Sequence, residues 1–261
     1  MAVAGWARVG DRLRGWTRFE RIWLLTATGV ISAISLVLGD NWLGFVSALS
    51  GIFCVVLAAK GKIATYYVGI VQTGTYAYIA YGLALYGEAM LNAFFFLPAQ
   101  FVGWWLWTRN RNRGATGGED VRGRRLSWRQ WSLLVPAIVL ASSGYALFLD
   151  RIGAAQVGLD SYAVVISLFA QLLMVLRYAE QWILWIVVNL LTISLWAATI
   201  AQTGSTDYAV LVMWIAFLVN SIYGFLNWRR IAARATGSDD ADDADDGRDG
   251  AVPVPSAASG W

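Results

Sequence analysis

Histidine is absent from the 261 residues, cysteine occurs once, proline four times, and charged side chains make up only 14%. Each shortage excludes something. Without histidine there are no imidazole metal ligands, no histidine acid–base chemistry and no histidine pH switch. The single cysteine, Cys54, rules out an internal disulfide and any cysteine-based metal site. No stretch has the short apolar core and small-residue cleavage site of a signal peptide, so the whole chain reads as mature. No loop carries the GK[ST] ending of a phosphate cradle, since Gly114–Gly118 (GATGG) lacks it, so ATP hydrolysis is not expected. The apolar segments contain no Asp, Glu, Lys or Arg in their interiors, which leaves neither an acid nor a nucleophile to build an enzyme from. No cofactor, metal or nucleic-acid partner is expected.

What the chain has in excess is apolar surface. Hydrophobic residues reach 58%, and the mean hydropathy is +0.53. Ordinary soluble domains are far more polar, so this composition reads as an all-α, polytopic membrane protein. Eight apolar segments are expected, at Ile22–Leu38, Trp42–Ala59, Ile63–Gly82, Glu88–Trp107, Trp131–Leu149, Tyr162–Leu176, Gln181–Ile200 and Tyr208–Trp228. Each approaches the ~20 residues that a helix needs to cross a bilayer, the first and sixth being short.

The distribution of basic residues sets the orientation. If all eight segments span, one set of connections holds Lys60 and Lys62, then the arginines from Arg109 to Arg129, then Arg177, then Arg229, Arg230 and Arg234. The other set holds Asp40, Glu88, Asp150, Asp160 and Asp207, with Arg151 its one base. Basic connections stay in the cytoplasm, so both termini are expected inside a bacterial inner membrane. Residues 1–21, with Arg8, Arg12, Arg14, Arg18 and Arg21, read as a basic cytoplasmic arm. Residues 108–129 read as a flexible, basic cytoplasmic linker, and 229–261 as a disordered acidic tail carrying seven aspartates after Gly237.

The chain also repeats itself. Ser47–Lys60 (SALSGIFCVVLAAK) resembles Val164–Arg177 (VVISLFAQLLMVLR), and Ala84–Trp107 resembles Ser205–Trp228, with Gly103 and Trp107 against Gly224 and Trp228. In this alignment Gln72 falls about where Asn189 falls. The reading is two parallel three-helix repeats, 42–107 and 160–228, joined by a linker helix at 130–150, with 22–38 an extra peripheral helix. Parallel repeats of this kind are a transporter architecture, with the substrate held between them near the midplane.

One face stands out. Trp182, Trp185, Asn189, Thr192 and Trp196 follow helical spacing within an apolar segment. Asn189 lies roughly 13 Å in from the segment start at ~1.5 Å per residue. A buried amide there needs either a ligand or a neighbouring helix to bond to, and the residues alone leave both open. Trp182, near the membrane edge, taken alone reads more readily as an interfacial belt residue. The same two readings hold for Gln72, Asn92, Gln100 and Asn220, while Gln171 and Tyr76 read as packing. Pro98 is expected to weaken its helix and free a carbonyl.

The segments Lys60–Gln72 (KGKIATYYVGIVQ), Leu85–Asn92 (LYGEAMLN) with Leu97–Gln100 (LPAQ), and Trp182-x-x-Trp185-x-x-x-Asn189 resemble the PnuC family, in the Pnu group of vitamin transporters, over about Trp42–Trp228. The resemblance implies a fold like the SWEET sugar transporters and a homotrimer. It implies facilitated uptake of nicotinamide riboside for NAD synthesis, followed by trapping through a cytoplasmic riboside kinase. Relatives in the group carry thiamine or riboflavin, so another vitamin or nucleoside is the alternative cargo. It also implies ligand contact for Trp182, Trp185 and Asn189, with Gln72, Asn92, Gln100 and Asn220 as further candidates.

Overall fold

The computed structural model describes residues 16–38, 42–82, 86–111, 119–151, 159–203 and 208–249. The first fifteen residues, the connections 39–41, 83–85, 112–118, 152–158 and 204–207, and the last twelve residues lie outside that description, as do the side chains of Glu88 and Trp196. The described residues form helices: α1 Arg18–Leu38, α2 Trp42–Ala59, α3 Ala64–Gly82, α4 Tyr86–Leu91, α5 Leu97–Arg109, α6 Trp128–Arg151, α7 Leu159–Val175, α8 Gln181–Thr203 and α9 Tyr208–Asp249. No strand beyond two isolated bridges occurs among them. Three helical stretches, Trp42–Ala59, Ala89–Arg109 and Trp128–Arg151, are long and apolar enough by themselves to cross a membrane.

Local chemistry explains the boundaries. Thr17 and Glu20 close a reciprocal cap on α1, Thr17 N–H donating to Glu20 Oε2 (2.6 Å) and Glu20 N–H to Thr17 Oγ1 (3.2 Å). Ser127 and Gln130 do the same at α6 (2.8 and 3.3 Å). Between α4 and α5 the chain makes one wide turn, Asn92–Phe96, in which Leu97 N–H reaches back to Asn92 O. The wider turn precedes Pro98, whose ring would clash with the carbonyl four residues back in a regular helix. The expected weak point is therefore a π-type bulge rather than a break.

Helices α2 and α7 end alike. Gly61 (φ 69°) and Arg177 (φ 66°) both turn left-handed. Gly61 N–H donates to Ala58 O (2.9 Å) and Lys62 N–H to Leu57 O (3.0 Å), while Arg177 N–H donates to Met174 O and Tyr178 N–H to Leu173 O (both 2.9 Å). This is the glycine-type helix stop, in the second case forced on an arginine. By backbone conformation Gly61, not Lys60, is the counterpart of Arg177, so the sequence alignment is shifted by one residue here.

Residues 119–127 are packed rather than a free tether. Asp120 N–H donates to Gly61 O (2.9 Å), and Arg124 exchanges bonds with the second turn, its N–H to Arg177 O (2.8 Å) and its O from Ala179 N–H (2.9 Å). Asp120 also accepts from Ile63 N–H (3.0 Å), and Val121 is fully buried. A second difference lies at the end of α9, which stays helical to Asp249 where disorder is expected from Gly237. Extending an existing helix costs no new nucleus, and no proline intervenes before Pro253.

The main core lies beside these turns at the basic end, joining Ala58, Tyr66, Trp107, Met174, Trp182 and Trp228. A second core, around Ile166, Leu173, Leu184 and Val188, packs α6, α7 and α8 together.

Candidate functional site

Above the main core lies a cavity of about 660 Å³, walled by α2, α3, the Asn92–Phe96 turn, α5, α7, α8 and α9. All seven residues singled out in the sequence line it: Gln72, Asn92, Gln100, Trp182, Trp185, Asn189 and Asn220. Thr192 continues the same stripe of α8 into the wall. Ser221, Thr73, Ser167 and Gln171, the last of which reads as packing from sequence, also face it. Small hydroxyl residues on apolar helices carry no distinguishing sequence signal. Among the described lining residues none is charged.

Two of the amides spend a nitrogen on a neighbouring helix. Asn189 Nδ2 donates to Ser221 Oγ (3.0 Å), and Asn220 Nδ2 to Val55 O (3.4 Å), so the interhelical reading holds for those atoms. Gln100 Oε1, Gln171 Nε2 and Trp182 Nε1 are buried and make no hydrogen bond among the described residues.

The floor of the cavity explains where Trp182 points. Its indole rests on Gly224 of α9, where an added Cβ would lie 2.6 Å from Trp182 Cδ2. Tyr66, placed after the first turn as Trp182 is after the second, rests in the same way on Gly103 of α5. Counted from these paired rings, Trp185 stands where Gly69 stands on α3, and Asn189 where Thr73 stands. Thr73, not Gln72, is thus the positional partner of Asn189. Counted from the paired glycines, Ser221 stands where Gln100 stands. Gln100's amide packs on Gly69, so the large side chain sits on α5 in one case and, as Trp185, on α8 in the other.

Below the floor, Trp107 Nε1 donates to Met174 O on α7 (3.1 Å) and Trp228 Nε1 to Ala58 O on α2 (2.8 Å). The cavity is thereby sealed at the basic end by buried aromatic rings. Farther out, burial and then the neighbouring Arg124 pull the Arg177 guanidinium below its usual range.

Apolar helices around a chamber lined with amides and indoles are the architecture of a membrane transporter. Residues 41–230 match the family described as nicotinamide mononucleotide transporter. A nicotinamide riboside transporter PnuC of Neisseria mucosa is 44% identical over 91% of this chain and 90% of its own length. Its Haemophilus influenzae counterpart is 38% identical over 84% and 93%. The crystal structure of a vitamin B3 transporter PnuC superposes with a TM-score of 0.73 at 44% identity, covering 84% of this chain and 94% of that one. The chain belongs to the PnuC family.

Proposed function

We propose that this protein carries nicotinamide riboside across the bacterial inner membrane by facilitated diffusion, binding it in the central cavity. The observation that carries the reading is the cavity wall itself: indoles and amides converge on one chamber with no charged group among its described lining residues. A flat cationic pyridinium suits indole faces, which stack on rings and attract cations. Amides and hydroxyls suit a carboxamide and ribose. Trp185 and Asn189 are the central contacts, Trp182 forms the floor, and Gln72, Asn92, Gln100 and Asn220 complete the wall.

The wall also separates two cargoes that the relatives' descriptions leave side by side. A mononucleotide brings a phosphate, and burying that charge without a cation is costly. The nucleoside fits; the nucleotide does not.

Eight spans in a one-plus-three-plus-one-plus-three order, with both termini cytoplasmic, accord with the loop charges and with the matched turns at Gly61 and Arg177. With no carboxylate, lysine or arginine among the described lining residues, the carrier works as a uniporter, and net accumulation comes from a cytoplasmic kinase that phosphorylates the riboside. The family resemblance implies a homotrimer, and α6, with Leu133, Leu140 and Leu147 exposed, has apolar surface for lipid or a second copy.

Uptake of labelled nicotinamide riboside into liposomes holding only this protein tests the proposal. Saturable flux without an ion gradient, resisted by excess unlabelled riboside and not by thiamine or riboflavin, is expected. Absence of saturable flux, or competition by another vitamin at lower concentration, would overturn it.

A further inference from the structure

We propose that residues 119–126 form a latch, which ties the two three-helix units together at the basic end and must let go before the cavity opens there. The proposal rests on the transport reading and adds to it the control of one of the cavity's two exits.

The segment grips each unit at its helix stop. On the first unit, Asp120 N–H donates to Gly61 O (2.9 Å), and Asp120 Oδ2 accepts from Ile63 N–H (3.0 Å). Lys62 Nζ pairs with the other carboxylate oxygen (3.2 Å). On the second unit, Arg124 N–H donates to Arg177 O (2.8 Å) and Arg124 O accepts from Ala179 N–H (2.9 Å). Leu126 N–H adds a bond to Glu180 Oε2 (3.0 Å). A third contact lies on α9, where a Cβ added to Gly123 would lie 3.2 Å from Ala232 N and Glu119 pairs with Arg234 (3.5 Å). Between the grips, Val121 is fully buried in the core that holds Tyr66, Trp107, Trp182 and Trp228. One short segment thus holds both units and fills the space beneath the cavity floor.

Carriers built from paired repeats work by moving one repeat against the other around a fixed site. For cargo to leave at the basic end, the aromatic floor has to part, and the two helix stops with it. Fully extended, the chain from Asp120 to Arg124 reaches at most about 14 Å, which caps how far the stops can separate while both grips hold. The grips are unequal. The second is paired backbone to backbone and backed by the buried Glu180. The first leans on a carboxylate 20% exposed and a lysine 27% exposed. A pair that open to water contributes little and is given up at little cost, so Asp120 is the end that releases. Glu20 holds Lys60 and Tyr223 across the same end, so freeing Asp120 shifts the balance between closed and open forms without abolishing the closed one.

Cys54, the one cysteine of the chain, lines the cavity and reports on its openings. The test applies a small, impermeant, cationic methanethiosulfonate to the full-length protein in oriented vesicles, from the basic side or from the opposite side. Modification of Cys54 is followed by intact mass in wild type, Asp120→Ala and Lys62→Met, the last removing only the exposed ion pair. Both variants should raise the basic-side rate, Asp120→Ala by about fivefold, with the opposite-side rate unchanged or lower. No rise in either variant, or an equal rise from both sides, overturns the latch. Excess nicotinamide riboside should slow modification of wild type. Failure of that protection overturns the cargo reading alone, because the rates of the variants still decide the latch.

Discussion

Trp107 and Trp228 lie with ring centroids 5.5 Å apart, yet they donate their N–H groups to different helices, Trp107 of α5 to Met174 O of α7 and Trp228 of α9 to Ala58 O of α2. The two accepting carbonyls are also those that end α2 and α7, taking the N–H of Gly61 and of Arg177. The two indole bonds thus tie α5 to the end of α7 and α9 to the end of α2. Trp107→Phe or Trp228→Phe removes one donor while the carbonyl keeps its turn bond, so each should cost only about 1 kcal/mol. Because the rings touch, the double variant should depart from additivity. Thermal unfolding in detergent measures both; fully additive losses would argue against a coupled seal.

Gly103 and Gly224 are matched seats with different expected outcomes. Gly224→Ala puts a methyl into the Trp182 ring and Gly103→Ala puts one into Tyr66. Both should destabilise by roughly 1–3 kcal/mol through overpacking. Only Gly224→Ala should also weaken riboside binding, since Trp182 lines the cavity and Tyr66 does not. Equal effects on affinity would show that the floor moves as one unit.

Much of this was legible in the sequence. The apolar runs located the helices, with α2 found as Trp42–Ala59, and helical spacing gathered Trp182, Trp185 and Asn189 onto one wall. Three things were not legible. The docking of residues 119–127 runs mainly through backbone bonds, which leave little mark on residue type. Thr73 and Ser221 are small hydroxyls whose role depends on which helix lies opposite. Glu20 looks like one acid among arginines, and only the fold brings Lys60 and Tyr223 to it.

Glu20 makes the protein acid-sensitive. It lies ahead of the expected first span and is 2% exposed. Burial pushes its carboxyl up, but bonds from Lys60 (2.8 Å), Tyr223 (2.7 Å) and Thr17 N–H outweigh that and hold it below the usual carboxylate range. A depressed folded pKa means stability that is present above the unfolded value and lost as pH falls through the folded one. Melting temperature should therefore drop below the ordinary carboxylate range in wild type. Glu20→Gln should be less stable by roughly 1.5–3 kcal/mol at neutral pH, with a flatter acid limb. An unaltered acid limb in that variant would assign the sensitivity to other carboxylates.

Asn189→Leu and Trp185→Ala test the wall directly. The first removes the amide that holds Ser221, and the second removes a half-buried indole face. Each should weaken riboside binding by about tenfold or more, the equivalent of ~1.4 kcal/mol. Size-exclusion elution of the purified protein should not shift. Unchanged affinity would make these residues packing elements of α8 and move the ligand toward Gln72 and Asn92.

The charge of the cargo is the remaining lever. Nicotinamide mononucleotide differs from the riboside by one phosphate, which carries about −1.5 to −2 charges near neutral pH. Every described lining residue is uncharged, and the bases Lys60 and Arg177 at the two turns, with Arg124 packed on the second, lie outside the cavity wall. Desolvating the phosphate there would go uncompensated. In a competition assay the mononucleotide should displace labelled riboside at least about a hundredfold less well, the size of effect that ~2.7 kcal/mol produces. Raising the salt concentration should not alter that ratio, because screening acts on exposed charges far more than on a buried one. Adding a cation to the wall by Gln72→Lys should narrow the gap from both sides, weakening the cationic riboside and admitting the phosphate. Equal competition by nucleotide and nucleoside in wild type would mean that the phosphate stays outside the chamber, and that the cavity selects only for the base and ribose.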